Sequence, residues 1–300
     1  MSTKSGFITL LGRPNAGKST LLNALLKEKV AIMSNKPQTT RDVIQGILTK
    51  GDTQFIFIDT PGVHKPQHEL GRQMSKAALS SAYGVDVIYF LADATSPYGR
   101  GDEFILNNIK EYGVPVFLLL TKLDLLSKEE LLNTLATWQS KFDFTEIIPI
   151  SAKKNNNLDT LLKVTEEYLK EGAWFYPEGQ ITDHSERFMV GEMIREKVLL
   201  LTEEEVPHSV FVAVEEMKFS RRQCSIHASI VVDRDSQKGI IIGKGGSMLK
   251  KIGALARQDI EQMLGVNVFL ELHVRVEKDW RNRERTLVEL GYMESKKNSI

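Results

Sequence analysis

Short, nearly continuous apolar runs recur through the first half of the chain, at residues 7–11, 55–58, 87–91, 114–120 and 147–150, each bounded by turn-forming residues. Unbroken runs of this length predict strands buried on both faces, not half-solvated strands, which alternate. Between them, residues 70–81, 103–111, 128–141 and 158–169 have the character of helices. Strand and helix thus alternate, which predicts an α/β domain doubly wound around a mostly parallel sheet. The stretches 43–48 and 53–58 join through Lys50-Gly51-Asp52, so one antiparallel edge is expected.

The pattern changes near residue 172. Residues 171–179 hold two glycines, a proline and three aromatics, and we read 172–185 as a linker that packs against a domain. A helix over 186–201, strands over 209–218 and 223–232, a helix-turn-helix-like stretch over 238–264, a strand over 267–276 and a short helix over 283–290 follow. The expected organisation is therefore a first domain over 1–171 and an α+β domain over 186–300, with the polar tail Ser295-Lys296-Lys297-Asn298-Ser299 fraying at the end.

Composition narrows the picture only in part. Three hundred residues suit two domains, and 42% hydrophobic with 26% charged content is ordinary for a globular chain. Lysine plus arginine and aspartate plus glutamate each total 39, so any basic footprint must be local. The single cysteine, Cys224, excludes an intrachain disulfide and reads as a small core hydrophobe. The first residues have no apolar signal-peptide core, and no apolar run approaches the ~20 residues that span a bilayer. A cytosolic protein is expected.

The chemistry concentrates after the first strand. Gly12-Arg13-Pro14-Asn15-Ala16-Gly17-Lys18-Ser19 follows the apolar run 7–11 and leads through Thr20 into a helix. Glycines at both ends let the backbone turn tightly and aim successive N–H groups inward, while the helix adds the positive end of its dipole. Lys18 would bridge the β- and γ-phosphates and the Ser19 hydroxyl would coordinate Mg2+. Asp59-Thr60-Pro61-Gly62 closes the strand at 55–58, where Asp59 can hold a metal-bound water and the Gly62 amide can sense a γ-phosphate. Lys36-Pro37-Gln38-Thr39-Thr40-Arg41 offers hydroxyls to the metal; Thr40 is favoured and Thr39 stays open. His64 and His68 stand four residues apart, but Pro66 between them opposes the helix that a zinc pair would need. This stretch reads as a mobile switch loop.

Thr121-Lys122-Leu123-Asp124 ends the strand at 114–120. The Asp124 carboxylate can accept from guanine N1–H and the 2-amino group while the Lys122 stem packs on the base. Adenine has neither donor, and a carboxylate left unpaired costs ~1–3 kcal/mol or more. That argues against an ATP-dependent kinase. Ser151-Ala152-Lys153, after the last strand, would bring the Ala152 amide to guanine O6.

With these elements in order over residues 6–170, the chain resembles translation-factor-class GTPases. Two positions depart from the common pattern. Thr121 stands in place of asparagine, which is expected to weaken the tie between the base loop and the phosphate loop. Val63 follows Gly62 where Ras-like proteins carry the glutamine that orients the attacking water. GTPases with a hydrophobic residue here resemble a subgroup that uses K+ held partly by a phosphate-loop asparagine, the position of Asn15. The resemblance implies catalysis through Asn15, Lys18, Thr40 and Gly62, with slow hydrolysis stimulated by K+.

In the second half, Ile242-Gly243-Lys244-Gly245-Gly246 separates two helices, and 236–258 contains no acidic residue but includes Lys238, Lys244, Lys250, Lys251 and Arg257. This matches a type II KH domain, whose glycine loop admits RNA backbone closely enough to clamp about four nucleotides. Ile240, Ile241 and Ile242 read as core in part, with one face lining the RNA groove, and Arg281, Arg283 and Arg285 as a solvated face, with phosphate contacts the alternative. Together with Ile181-Thr182-Asp183 and the run 187–197, the order GTPase then KH resembles a family of bacterial ribosome-assembly GTPases over essentially the whole chain. The resemblance implies binding of 16S RNA near its 3′ end, a role in 30S subunit maturation, and peripheral association with the inner face of the membrane; a monomer is expected. A second reading is a constitutive RNA-binding protein with a structural guanine-nucleotide site.

Overall fold

The computed structural model describes residues 2–36 and 38–293. Pro37 and the 295–299 tail lie outside them. The first half runs β1 (Lys4–Gly12), α1 (Lys18–Leu26), β2 (Ile44–Lys50), β3 (Thr53–Asp59), α2 (Glu69–Ser80), β4 (Val87–Asp93), α3 (Arg100–Ile109), β5 (Val116–Thr121), α4 (Lys128–Gln139), β6 (Glu146–Pro149), α5 (Leu158–Tyr168) and the two-residue β7 (Lys170–Glu171). The sheet order is β2-β3-β1-β4-β5-β6, with β7 added against β1. The strands β3, β1, β4, β5 and β6 are parallel; β2 pairs antiparallel with β3 from Ile44–Asp59 to Lys50–Thr53.

The apolar runs are buried because helices cover both faces of this sheet. Phe57, Tyr89, Phe90 and Phe117 are fully buried, with Tyr89 stacked against Phe117 and Tyr168 meeting Phe117 edge-on. The α3 helix begins at Arg100, earlier than residue spacing predicts. The Asp102 carboxylate accepts from the Gly99 N–H at 3.0 Å and from Arg13 Nη1 at 3.2 Å, closing the first turn.

The rest comprises α6 (Glu186–Leu201), β8 (Phe211–Phe219), β9 (Gln223–Val232), α7 (Asp235–Ile242), α8 (Ser247–Leu264), β10 (Asn267–Val276) and α9 (Glu284–Glu289). Its sheet order is β10-β9-β8, with β10 parallel and β8 antiparallel to β9. Helix, two strands, helix, loop, helix, strand is the type II KH order. Ile194, Val198, Ile226, Ile230, Ile241 and Ile252 form its core, and Cys224 is fully buried among them. Arg281 departs from the solvated face expected of it. Its Nη2 lies 2.7 Å from a buried Asp233 oxygen, and the ion pair holds it inside.

The chain divides into two compact units. The first contains the phosphate loop and extends to Asp183, so the 172–183 segment belongs to it. Ser5 Oγ donates to the Ala173 carbonyl at 2.9 Å, and the Gln54 carboxamide oxygen accepts from the Phe175 and Tyr176 amides at 3.0 Å each. The second unit takes His184 onward together with Ile32–Thr39 and His68–Leu70.

Phe117→Ala should cost about 3–5 kcal/mol, the usual range for a buried aromatic. Denaturant unfolding followed by the near-ultraviolet signal of the first unit is the measurement. A loss below ~1 kcal/mol would mean that the site collapses around the truncation.

Candidate functional site

The site begins where β1 and β3 end side by side, with Leu10 opposite Asp59 in the parallel register. The chain leaves β1 through Gly12, where a Cβ would stand 2.4 Å from the Leu91 carbonyl oxygen. It passes Asn15 at φ 62° and Gly17 at φ 93°, both left-handed, before entering α1. This is backbone curvature that successive inward amides require, and glycine takes it without strain.

Lys18 and Asp59 are both buried. The Lys18 ammonium donates to the Gly12 and Arg13 carbonyls at 3.2 and 3.1 Å. Burial lowers its pKa to about 8, with Asp59 opposing the shift. Burial likewise raises Asp59 to about 6, opposed by Lys18 and by the Ser19, Thr60 and Thr40 hydrogen bonds. Each charge thus offsets part of what burial costs the other.

Ser19 Oγ lies 2.6 Å from Asp59 Oδ2 and 2.7 Å from Thr40 Oγ1. Asp59 Oδ1 is buried and has no hydrogen-bond partner among the described residues. Two hydroxyls and a carboxylate with an oxygen to spare are hard oxygen donors suited to Mg2+. Thr39 faces elsewhere. Its hydroxyl donates to the Lys36 carbonyl at 2.6 Å, so Thr40 is the residue brought to the metal position.

The loop after β3 is pinned to the phosphate loop. Thr60 Oγ1 donates to the Leu10 carbonyl at 2.6 Å and the Val63 amide to the Gly12 carbonyl at 3.2 Å. A Cβ on Gly62 would meet the Pro14 Cα at 2.7 Å, so glycine is needed for the two loops to touch. Pro61 is buried beside it, and Val63, 1% exposed, packs into the core with Leu11 and Ile88. A side chain held there cannot orient water. Residues 64–68 are not helical, and no group of three His, Cys, Asp or Glu side chains placed to hold a metal occurs among the described residues.

On the base side, the Thr121 hydroxyl lies 2.8 Å from the Ala16 carbonyl and 3.2 Å from that of Ala92. The Thr121 hydroxyl is what ties the base loop to the phosphate loop here, at the Ala16 carbonyl. Lys122 takes φ 61°, and its ammonium meets Asp93 Oδ2 at 2.5 Å. Asp93, at the end of β4, was not singled out by its sequence context, because an aspartate after an apolar run also reads as an ordinary turn. The Asp124 carboxylate accepts from Ser151 Oγ at 2.5 Å, which holds its pKa below the usual range. The Leu123 amide donates to the Ile150 carbonyl at 3.1 Å, and Ala152 and Lys153 continue the turn from Ser151. A cavity of about 300 Å3 opens beside these loops, lined by Asn15, Ala16, Asp93 and Lys122 among others.

The second unit holds the other constellation. Gly243, Gly245 and Gly246 have φ of 71°, 60° and 80°, and a Cβ on Gly243 would meet the Met248 amide nitrogen at 2.9 Å. Lys244 and Gly245 are exposed and Ile242 is half-buried. A groove of about 550 Å3 runs between α8 and β10, lined by Gly246, Leu249, Lys250, Arg257 and Phe269 among others. Lys251 is exposed but does not line it. Phe269, half exposed on β10, puts an aromatic face in this groove, which alternation along a strand left unmarked.

The same unit binds the segment that precedes Thr40. The Met33 amide donates to Glu196 Oε1 at 3.0 Å, and Arg195 donates to the Thr39 carbonyl while pairing with Glu192. Lys197 bridges Glu196 at 2.9 Å and Asp259 of α8 at 2.6 Å. Burial works to lower the Lys197 pKa, but the Asp259 and Glu196 carboxylates outweigh it and raise the value.

Comparison with known proteins finds a relative for each unit. The 50S ribosome-binding GTPase family matches residues 7–122, and the KH domain family matches residues 205–281. The crystal structure of Era in complex with MgGDPNP and nucleotides 1506–1542 of 16S ribosomal RNA is 42% identical, covering 97% of this chain and 99% of its own, with a TM-score of 0.94. An alanine variant of Aquifex aeolicus Era bound to GDP·AlF4− is also 42% identical over 97% of this chain and 99% of its own, with a TM-score of 0.93. Sharing its two domains and their order over nearly its whole length with these proteins, the chain belongs to the Era family of GTPases.

Proposed function

We propose that this chain is a guanine-nucleotide switch that binds GTP with Mg2+, hydrolyses it slowly, and engages 16S ribosomal RNA near its 3′ end during assembly of the 30S subunit. The observation that carries the reading is the convergence of Lys18, Ser19, Thr40 and Asp59 on one side of the phosphate loop and of Asp124 on the other. The Era relative with MgGDPNP and 16S RNA bound supports the same ligands here. Mg2+ would be held by Ser19, Thr40 and Asp59, and bound there it would neutralise charge on the β- and γ-phosphates. Lys18 supplies a second fixed cation, and the inward amides of the loop supply the rest.

Slow hydrolysis follows from Val63, which leaves positioning and charge neutralisation as the remaining sources of rate. K+ beside Asn15 would add a further cation at the phosphates. The cytosol is the expected compartment, with association at the inner face of the membrane part of the same reading; no helix among the described residues is long and apolar enough to cross it.

Coupling to RNA has a physical route. Met33 and Thr39 are held by Glu196 and Arg195 on α6, and Lys197 joins Glu196 to Asp259 on α8. The next residue after Thr39 reaches the metal position. Drawing Thr40 toward a γ-phosphate-bound Mg2+ therefore strains the segment that the second unit grips, and the strain reaches the helix that follows the glycine loop.

Asp124→Asn should weaken GTP at least tenfold, since one good bidentate contact is lost, and shift preference toward xanthosine nucleotides; competition binding with both nucleotides measures this. Hydrolysis should run faster in K+ than in Na+ at equal ionic strength, and Asn15→Ala should erase the difference; equal rates in the two salts for the unaltered protein would remove K+ from the mechanism. A short single-stranded RNA from the 16S 3′ end should bind more tightly with a nonhydrolysable GTP analogue than with GDP, and Gly245→Asp should abolish that binding. Identical affinities in both nucleotide states would favour the constitutive RNA binder.

A further inference from the structure

The RNA groove does not stop where the four-nucleotide clamp of a KH domain would end. Past Arg257, α8 continues for one turn, about 6 Å, to Glu261 and Gln262. A second cavity of about 700 Å3 opens there, lined by Arg221, Arg222, Glu261, Gln262 and Asn267 among others. On β10, Asn267 of this cavity is the chain neighbour of Val268 of the first, so the two cavities follow one another along the same α8–β10 furrow.

Arg221 and Arg222 occupy the tip of the β8–β9 hairpin. The turn is closed by the Ser220 amide and hydroxyl, which both donate to the Gln223 carbonyl, at 2.8 and 2.9 Å. Neither residue of the turn takes a positive φ, so its backbone admits most side chains. It sets two arginines side by side, both exposed and with no side-chain hydrogen bond or ion pair among the described residues. Backbone conformation gives no reason for that choice, and two adjacent cations repel. Phe219, 57% exposed, and Lys218 stand next to them, so the tip combines positive charge with an aromatic face. The one carboxylate in the cavity is already engaged: Glu261 Oε1 accepts from the Val268 amide at 3.0 Å and lies 4.0 Å from Arg257.

We propose that Arg221 and Arg222 form a second RNA-backbone site, which takes the phosphodiesters of nucleotides running out of the KH groove past Arg257. The proposal rests on the RNA reading above and extends it to a surface beyond the glycine loop. Guanidinium groups on a closed turn suit phosphate, since their planar forks are preorganised and cannot lose their charge. The site reads no bases. It adds affinity and register to a strand whose sequence is read in the groove.

The test compares two single-stranded RNAs from the 16S 3′ end, one of about five nucleotides that fills the clamp and one of about fifteen that runs beyond it. Arg221→Ala/Arg222→Ala should lower affinity for the longer RNA about tenfold and leave the shorter nearly unaffected. For the longer RNA, two lost phosphate contacts should also flatten the dependence of log K on log salt by about 1.4, at ~0.7 per contact on a single strand. Arg221→Lys/Arg222→Lys should keep most of the slope. An unchanged affinity for the longer RNA, an equal loss on both RNAs, or a lysine variant as impaired as the alanine one would each overturn the proposal. Unaltered protein that binds neither RNA would instead overturn the RNA reading itself.

Discussion

The structure turns on two opposite charges withdrawn from water. Asp59 ends β3 and Lys18 opens α1 after the loop that leaves the adjacent parallel strand β1, and burial works against the charge on each. Each is the other's partial remedy, and neither is fully satisfied: one carboxylate oxygen of Asp59 has no partner among the described residues. A buried, unpartnered charged oxygen costs about 1–3 kcal/mol or more. A polyphosphate with a divalent cation relieves both groups at once, so the cost of burying them becomes a preference for one kind of ligand. The surrounding backbone keeps the pair in place. Gly12 against the Leu91 carbonyl, Gly62 against Pro14, and Thr60 bonded to the Leu10 carbonyl leave the loops little room to relax.

The base side works by a different balance. Asp124 is held by a hydroxyl, not by a cation, and the nearest lysine of its loop is turned toward Asp93. Asp124 therefore keeps a charged carboxylate, while Lys122 is fixed by a partner from a neighbouring strand. Thr121 links this loop to the phosphate loop through the Ala16 carbonyl, so the two loops are held in register with each other.

Most of the first unit is legible in the sequence because a parallel sheet buried on both faces leaves unbroken apolar runs, and because phosphate chemistry needs glycines at fixed spacing. The strands over 223–232 and 267–276 match β9 and β10 residue for residue. What escaped reading depends on pairs far apart in sequence. Asp93 with Lys122, Asp102 with Arg13 and Arg281 with Asp233 are each an ordinary surface residue until the fold supplies the partner. The contact that Thr121 makes is hidden for the same reason, since side-chain length says little until the distance to the Ala16 carbonyl is known. The assignment of Ile32–Thr39 to the second unit has no local signature at all.

That last feature bears on why charges are buried in α6. Glu192, Arg195, Glu196 and Lys197 are all buried, an arrangement that stability alone does not favour, since well-packed apolar residues of similar volume are often as good or better. Apolar residues, however, could not hold the Met33 amide and the Thr39 carbonyl in one register. The hydrogen-bonded set has a discrete geometry: Glu196 takes the Met33 amide on one oxygen and Lys197 on the other, and Lys197 then spans to Asp259. Moving the 32–39 segment breaks specific bonds in the interior of the unit, where a lost partner is costly, so the segment has few intermediate positions available.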